Sequence, residues 1–329
     1  MEYAIRTHHD CIGCSENGFL IRGFQYSEDQ ASIHAEIGMG EHTEGWIGIP
    51  HGGIGMGGIL ELVQGLHNFP DDARCCFPLK VNYRLGGARV KIGDTVGVTV
   101  SEVNNGADAK IVLQGQKDPY LIANVSYHNS SVELENHIGS YLPKNYRELG
   151  NNVVLLPRYE RCLVCGYKRN YPGLNREFYL VNSGEHRLVY SKVGFCQKDS
   201  DDFFWFRRGD VVHPLALISL LDETMGWAGF FISGQGGVTV NLEVSFSRDI
   251  RIGEKMIFFG RAERKRGRNP KLMFFWSTGG IATVNNDGTF EMAASASAQY
   301  FALPELTEQM KIHLLPLELT RQAFDLVAT

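Results

Sequence analysis

Glu44-Gly45-Trp46-Ile47-Gly48-Ile49-Pro50-His51-Gly52-Gly53 runs into an apolar stretch, residues 54–69, in which Ile59, Leu62, Val63 and Leu66 fall at helical spacing. Farther along, His213-Pro214-Leu215 opens a second such stretch that reaches Phe231. Glu61 follows His51, and Glu223 follows His213, at the same interval, so the two segments share one layout 162 residues apart. Other short pairs keep the order. Cys11-Ile12-Gly13-Cys14 returns as Cys162-Leu163-Val164-Cys165, and Val90-Lys91-Ile92-Gly93-Asp94 as Ile250-Arg251-Ile252-Gly253-Glu254. The chain therefore reads as two copies of one domain-sized unit.

In the first copy, 19–26 and 31–37 alternate as strands before the glycine-rich turn and the helix. Strand-like runs follow at 79–83, 95–103, 110–114 and 120–127. The second copy gives a helix over 214–231 and strands over 238–246, 255–264, 271–284 and 290–302. Both helices are apolar nearly all round and carry small residues, among them Gly55, Gly57, Gly58, Ala216, Gly226 and Ala228. A helix of that kind is buried on most faces, and a curved antiparallel sheet wrapped around it achieves this. The expected class is α+β, with units at 1–130 and 158–304, a connector at 131–157 and a tail at 305–329. The tail has helical patterning broken by Pro316 and is expected on the outside of the second copy.

The 329 residues are 43% hydrophobic and 21% charged, as in an ordinary globular protein with ample core. A net charge of −5 lacks the basic footprint that nucleic acid requires. Residues 1–9 show no secretory pattern and no uninterrupted apolar run approaches the length of a membrane span, so a cytoplasmic protein without a membrane partner is expected. The seven cysteines (11, 14, 75, 76, 162, 165 and 196) read as reduced thiols.

The long central helix, the His-Gly-Gly turn before it and the strand meander after it resemble the hot-dog fold, and more narrowly its PaaI-like acyl-CoA thioesterases. Glu44-Gly45-Trp46-Ile47-Gly48-Ile49-Pro50-His51-Gly52-Gly53 fits that group's helix-opening segment, and Leu220-Leu221-Asp222-Glu223-Thr224-Met225-Gly226-Trp227-Ala228 its helix. Cys162-Leu163-Val164-Cys165-Gly166, with Asn170-Tyr171-Pro172-Gly173-Leu174 after it, fits the group's opening pattern. The resemblance runs to about Pro304 and is stronger in the second copy. It implies a tandem double hot-dog forming an intrachain pseudo-dimer, with acyl-CoA as partner and substrate and no cofactor beyond the CoA it carries. Such proteins also associate through their sheets, which leaves a homodimer of double hot-dogs open.

In that family the active site lies between two units: one gives the His-Gly-Gly helix start, the other a carboxylate on its helix and a Ser/Thr on the next strand. Here the copies carry complementary defects. The first has His51, Gly52 and Gly53 but Leu60 where the carboxylate belongs, with Glu61 next to it and Cys76 in the Ser/Thr place. The second has Asp222 and Thr239, but Pro214 and Leu215 replace Gly-Gly; proline has no N–H to donate. One composite site is expected to be complete, and its pseudo-symmetric counterpart inactive. By this resemblance the Gly53 N–H, with Gly52, forms the oxyanion hole, and His51 shapes the turn. Asp222 is nucleophile or general base, Thr239 orients it or its water, and Glu223 is the reserve carboxylate, about 100° away around the helix.

Gly53-Ile54-Gly55-Met56-Gly57-Gly58 satisfies G-x-G-x-x-G, but no buried parallel strand precedes it and no βαβ alternation follows, so a dinucleotide site is set aside. The two C-x-x-C pairs read as buried structural thiols, with no metal expected. Arg261, Arg264, Arg266 and Arg268 are either a solvated hairpin or a patch for the phosphates of coenzyme A. Two rival functions stay open. A hot-dog hydratase or dehydratase would pair Asp with a basic His, although no N-P-x-H-x-D segment is present; the other rival is a non-catalytic acyl-CoA binding protein.

Overall fold

The computed structural model describes Gly13 and residues 20–66, 77–128, 132–150, 153–183, 186–194 and 206–325. The first unit runs β1 (Ile21–Tyr26), β2 (Ser32–Gly38), the short hairpin β3 (Glu44–Trp46) and β4 (Ile49–Pro50), then α1 (Gly52–Leu66). The strands β5 (Leu79–Leu85), β6 (Thr95–Val103), β7 (Gly106–Leu113) and β8 (Pro119–Tyr127) complete it. The connector contributes a helical turn α2 (Asn136–Gly139) and β9 (Val153–Leu155). The second unit repeats the order: β10 (Tyr179–Ser183), β11 (His186–Gly194), the hairpin β12 (Arg207–Arg208) and β13 (Val211–Val212), and α3 (Pro214–Ser233). After it come β14 (Gly237–Phe246), β15 (Lys255–Arg266), β16 (Phe274–Val284) and β17 (Phe290–Ala302), then the tail helices α4 (Pro304–His313) and α5 (Leu317–Asp325).

The long strands form a single 13-stranded sheet in the order β1-β2-β6-β7-β8-β5-β14-β17-β16-β15-β11-β10-β9. Apart from β9 it reads the same from both ends once repeat partners are exchanged. The units join at β5 and β14, which pair antiparallel from Asn241 opposite Arg84 to Phe246 opposite Leu79. Each half curls around its own helix, as the all-round apolar patterns require.

α3 is long and apolar enough to cross a membrane, but 83% of that window is buried inside the protein. It starts on Pro214, with His213 as N-cap accepting the Leu215 N–H, and ends at Gly234 in the left-handed conformation. α1 and α3 cross in close contact. A Cβ on Gly53 would stand 2.7 Å from Ser219 Cα, and one on Gly57 2.8 Å from Leu215 Cα. The two contacts are repeat equivalents of each other, and in both the glycine lies on the first unit, so the pair is matched as two unlike halves.

Two segments do more than the sequence suggests. The connector adds β9 as an edge strand on β10, and its Ile138, Leu142 and Leu149 pack on the outer face of the second half with Tyr190, Ile257 and Phe259. The tail, expected on the outside of the second copy, also reaches the first unit: the Trp46 indole N–H donates to Gln309 Oε1 of α4 at 3.0 Å. The half-buried apolar face of α4 finds its cover there, against residues of both units.

Candidate active site

The β3–β4 hairpin delivers His51 to the start of α1, where its N–H donates to Thr43 O at 2.8 Å. Glu44 holds the hairpin by accepting the Gly48 N–H, and it meets the second unit through Arg161, Tyr159 and the Leu163 N–H. The His51 ring is buried, and its Nδ1 accepts the Gly53 N–H at 3.0 Å. A ring nitrogen that accepts carries no proton, so the neutral ring holds its hydrogen on Nε2. That nitrogen lies 3.4 Å from Glu223 Oε2.

This geometry corrects one expectation. The Gly53 N–H, expected to face the substrate, is bonded to His51 Nδ1. A Cβ on Gly52 would stand 3.1 Å from Asp222 Oδ2, which places that backbone directly before the carboxylate. Asp222, buried in the third turn of α3, receives the Thr239 hydroxyl on Oδ1 at 2.6 Å. Its backbone carbonyl accepts the Tyr300 hydroxyl at 3.2 Å. Burial lifts the Asp222 carboxyl above its ordinary range; the nearby His51 ring and the Thr239 bond pull it back, and the charge of Glu223 pushes it further up. Tyr120 of the first unit was not legible as a neighbour. Burial and the charge of Asp222 push its phenol up to about 12.

Glu223 points away from Asp222, as helical geometry demands, and accepts the Cys162 thiol at 3.2 Å as well as facing His51. Cys162 Sγ in turn accepts the N–H groups of Val164 and Cys165. Donor atoms of His51, Cys162 and Glu223 lie within 4.8 Å of one another, close enough to hold a metal ion. The histidine tautomer argues against that use: a metal on Nε2 needs the proton on Nδ1, and Nδ1 is accepting the Gly53 N–H. The cluster is a chain of hydrogen bonds that ties the Cys-x-x-Cys loop to the opposite helix start.

Beside Asp222 opens a cavity of about 180 Å³, lined by His51, Glu223, Thr239, Cys165 and a largely aromatic wall. The pseudo-symmetric corner is filled instead. Leu60 takes the place of Asp222, Arg208 lies 2.6 Å from Glu61 Oε1, and His213 Nε2 lies 2.9 Å from Glu61 Oε2, all three side chains buried. Cys76, Cys11 and Cys14 lie outside the described residues. Gly13 of the first Cys-x-x-Cys loop is described, and a Cβ there would stand 2.9 Å from Glu61 Cδ, so this loop too sits on its unit's glutamate.

The arginine cluster is not part of the cavity wall. Arg261 stacks 4.8 Å over Tyr141 and Arg264 4.5 Å over Trp276, while Arg266 and Arg268 are exposed at the end of β15. Lys265 pairs with Phe275, Phe275 with Tyr300 and Tyr300 with Thr239, so this strand end is level with Thr239 but three strands away, about 14 Å.

No protein-family model and no curated protein sequence matches the chain. Solved structures do. The dehydratase domain of PpsC from Mycobacterium tuberculosis, in complex with C12:1-CoA, is similar over 87% of this chain and 99% of its own, at 12% identity and a TM-score of 0.50. The tesB protein of Mycobacterium avium subs paratuberculosis aligns over 85% and 96%, at 10% identity and a TM-score of 0.49. An acyl-CoA thioesterase II, TesB2, of Mycobacterium marinum aligns over the same shares at 11% and 0.47. The chain has the tandem hot-dog fold, an intrachain pseudo-dimer of two units.

Proposed function

We propose that the chain is an acyl-CoA thioesterase that hydrolyses its substrate at one composite site between the units. The observation that carries this reading is Asp222 Oδ2 of one unit set against Gly52 at the helix start of the other. The Gly52 N–H, at the positive end of α1, would receive the charge that develops on the thioester oxygen. Asp222 takes the proton of a water whose oxygen bonds to the thioester carbon; collapse of the adduct breaks the C–S bond and releases the acid and the CoA thiolate. Thr239 fixes the carboxylate by bonding Oδ1, which leaves Oδ2 for the water. His51 positions Gly53, and through it the start of the helix. That an acyl-CoA-bound dehydratase domain shares the fold supports an acyl-CoA ligand.

A specific observation also favours dehydration: a histidine and an aspartate are brought together from opposite units. It would need His51 Nε2 as the base, yet that nitrogen carries the proton. The two readings part in one experiment, release of free thiol from a panel of acyl-CoAs alongside hydration of enoyl-CoAs. On the hydrolase reading Asp222→Asn loses about 100- to 10,000-fold in thiol release. His51→Asn, whose amide oxygen can still accept the Gly53 N–H, keeps most of it. Thiol release that survives Asp222→Asn, or enoyl hydration that disappears with His51→Asn, overturns the hydrolase reading.

A further inference from the structure

The cavity runs along α3. From Asp222 it follows α3 past Gly226 and Trp227 to Phe230, eight residues or about 12 Å of helix, with Phe275 and Tyr300 of the sheet opposite. Its far side is formed by the tail. Leu306, Met310 and Leu314 recur at four-residue spacing along one face of α4 and its end, and all three line the cavity.

That helix is held from both units. Gln309 accepts the Trp46 indole N–H at 3.0 Å, and Thr307, fully buried, accepts the Gly236 N–H at 3.0 Å. Trp46 also packs against Tyr159, their rings 4.9 Å apart. Gly236 permits the approach, since a Cβ there would stand 2.6 Å from Met310 Sδ. The methionine is therefore seated against main chain on one side and faces the chamber on the other.

We infer that α4 is the end wall of the acyl chamber and that Met310 sets the length of acyl group accepted. This rests on the acyl-thioester reading of the same site. A dry apolar cavity of about 150 Å³ holds one benzene molecule, so a chamber of about 180 Å³ takes an acyl group of about six carbons and not a long fatty chain. Longer chains must displace α4, breaking the bonds of Trp46 and Gly236. The thioester carbonyl stays at Asp222 whatever the chain, so selection acts on length and not on the reacting atoms.

The test uses the full chain and a ladder of non-hydrolysable S-alkyl-CoA thioethers from two to sixteen carbons, read by calorimetry, with release of thiol from the matching acyl-CoAs read in parallel. Wild type is expected to bind best near six carbons and the sixteen-carbon ligand at least about tenfold more weakly, since single methylenes in a fitted pocket are worth about 10- to 200-fold. Met310→Ala removes about three heavy atoms from the wall and is expected to move the optimum to longer chains by about two or three carbons. Leu306→Ala, on the same stripe, moves it the same way and guards against a variant that merely folds badly. Wild-type affinity that rises steadily to sixteen carbons, or a ladder unmoved in both variants, overturns the end-wall inference. A ladder that behaves as expected without any thiol release upholds the chamber and overturns hydrolysis instead, and thiol release without length selection does the reverse.

Discussion

At one interunit corner His51 faces Glu223 at 3.4 Å, beside Asp222 and an open cavity; at the other, His213 faces Glu61 at 2.9 Å and Arg208 closes the space. The shared parts are the histidine that caps its own helix start and the glutamate from the opposite helix. Both histidines accept the N–H two residues on, at 3.0 Å. What differs is the residue before the glutamate, aspartate or leucine, and the residue in the hairpin ahead of the histidine, Trp46 or Arg208. The common contact thus belongs to the joint between units, and chemistry needs the added carboxylate and an unfilled space next to it.

The comparison can be broken hardest at Arg208. It and Glu61 are both almost wholly buried, and removing Arg208 leaves the buried carboxylate with His213 at 2.9 Å in place of a full ion pair. Arg208→Met is expected to destabilise the fold by about 3–5 kcal/mol in chemical denaturation, and Arg208→Met with Glu61→Gln to recover much of that. A loss below about 1 kcal/mol would mean the filled corner is no anchor. A smaller effect is expected at the helix crossing. Gly53→Ala drives a methyl into the Ser219 backbone and should cost about 1–3 kcal/mol, with thiol release falling as Gly52 shifts. Alanine at the partner position 215 needs no such shift, because the leucine already there packs against Gly57.

The finest distinction is electrostatic. Asp222 must be ionised to take a proton, and its carboxyl is raised above the ordinary aspartate range, so activity should fall off at a pH above that range as the solution is acidified. Thr239→Val removes a hydrogen bond that favours the ionised form, and the acid limb of the rate profile should then move further up. The stability consequence has the opposite sense to activity. A raised folded value means the folded chain holds the proton more tightly, so Asp222 supports folding most below its unfolded value and that support is lost as pH rises through the folded one. A limb that stays put in Thr239→Val would show that the threonine does not act through Asp222.

The tandem fold was legible because two short motifs recur in order around helices too apolar to lie on a surface. The asymmetry between the two interunit corners was legible because Pro214-Leu215 and Leu60 each remove something the other unit retains. Three features were not. The bond from Gly53 to His51 depends on a ring orientation that no residue pattern encodes. Arg208 sits in a two-residue strand, too short for burial to leave a periodic signature, and a lone arginine reads as solvated. The α4 stripe of Leu306, Met310 and Leu314 is visible as a pattern, but what it faces is decided by Trp46, some 260 residues earlier in the chain. The expected membrane-free helix over 214–231 shows the opposite limit: length and hydropathy match a membrane span, and only the surrounding sheet distinguishes it.

The β5–β14 ladder makes the encounter of the two halves intramolecular. Separate hot-dog chains lose their shared site on dilution below the dissociation constant of the pair. Here the local concentration of one half about the other is set by the tether and does not change with the amount of protein. A corner built from unlike halves therefore needs no sorting against mispaired, self-matched dimers. It forms once per chain, at any abundance.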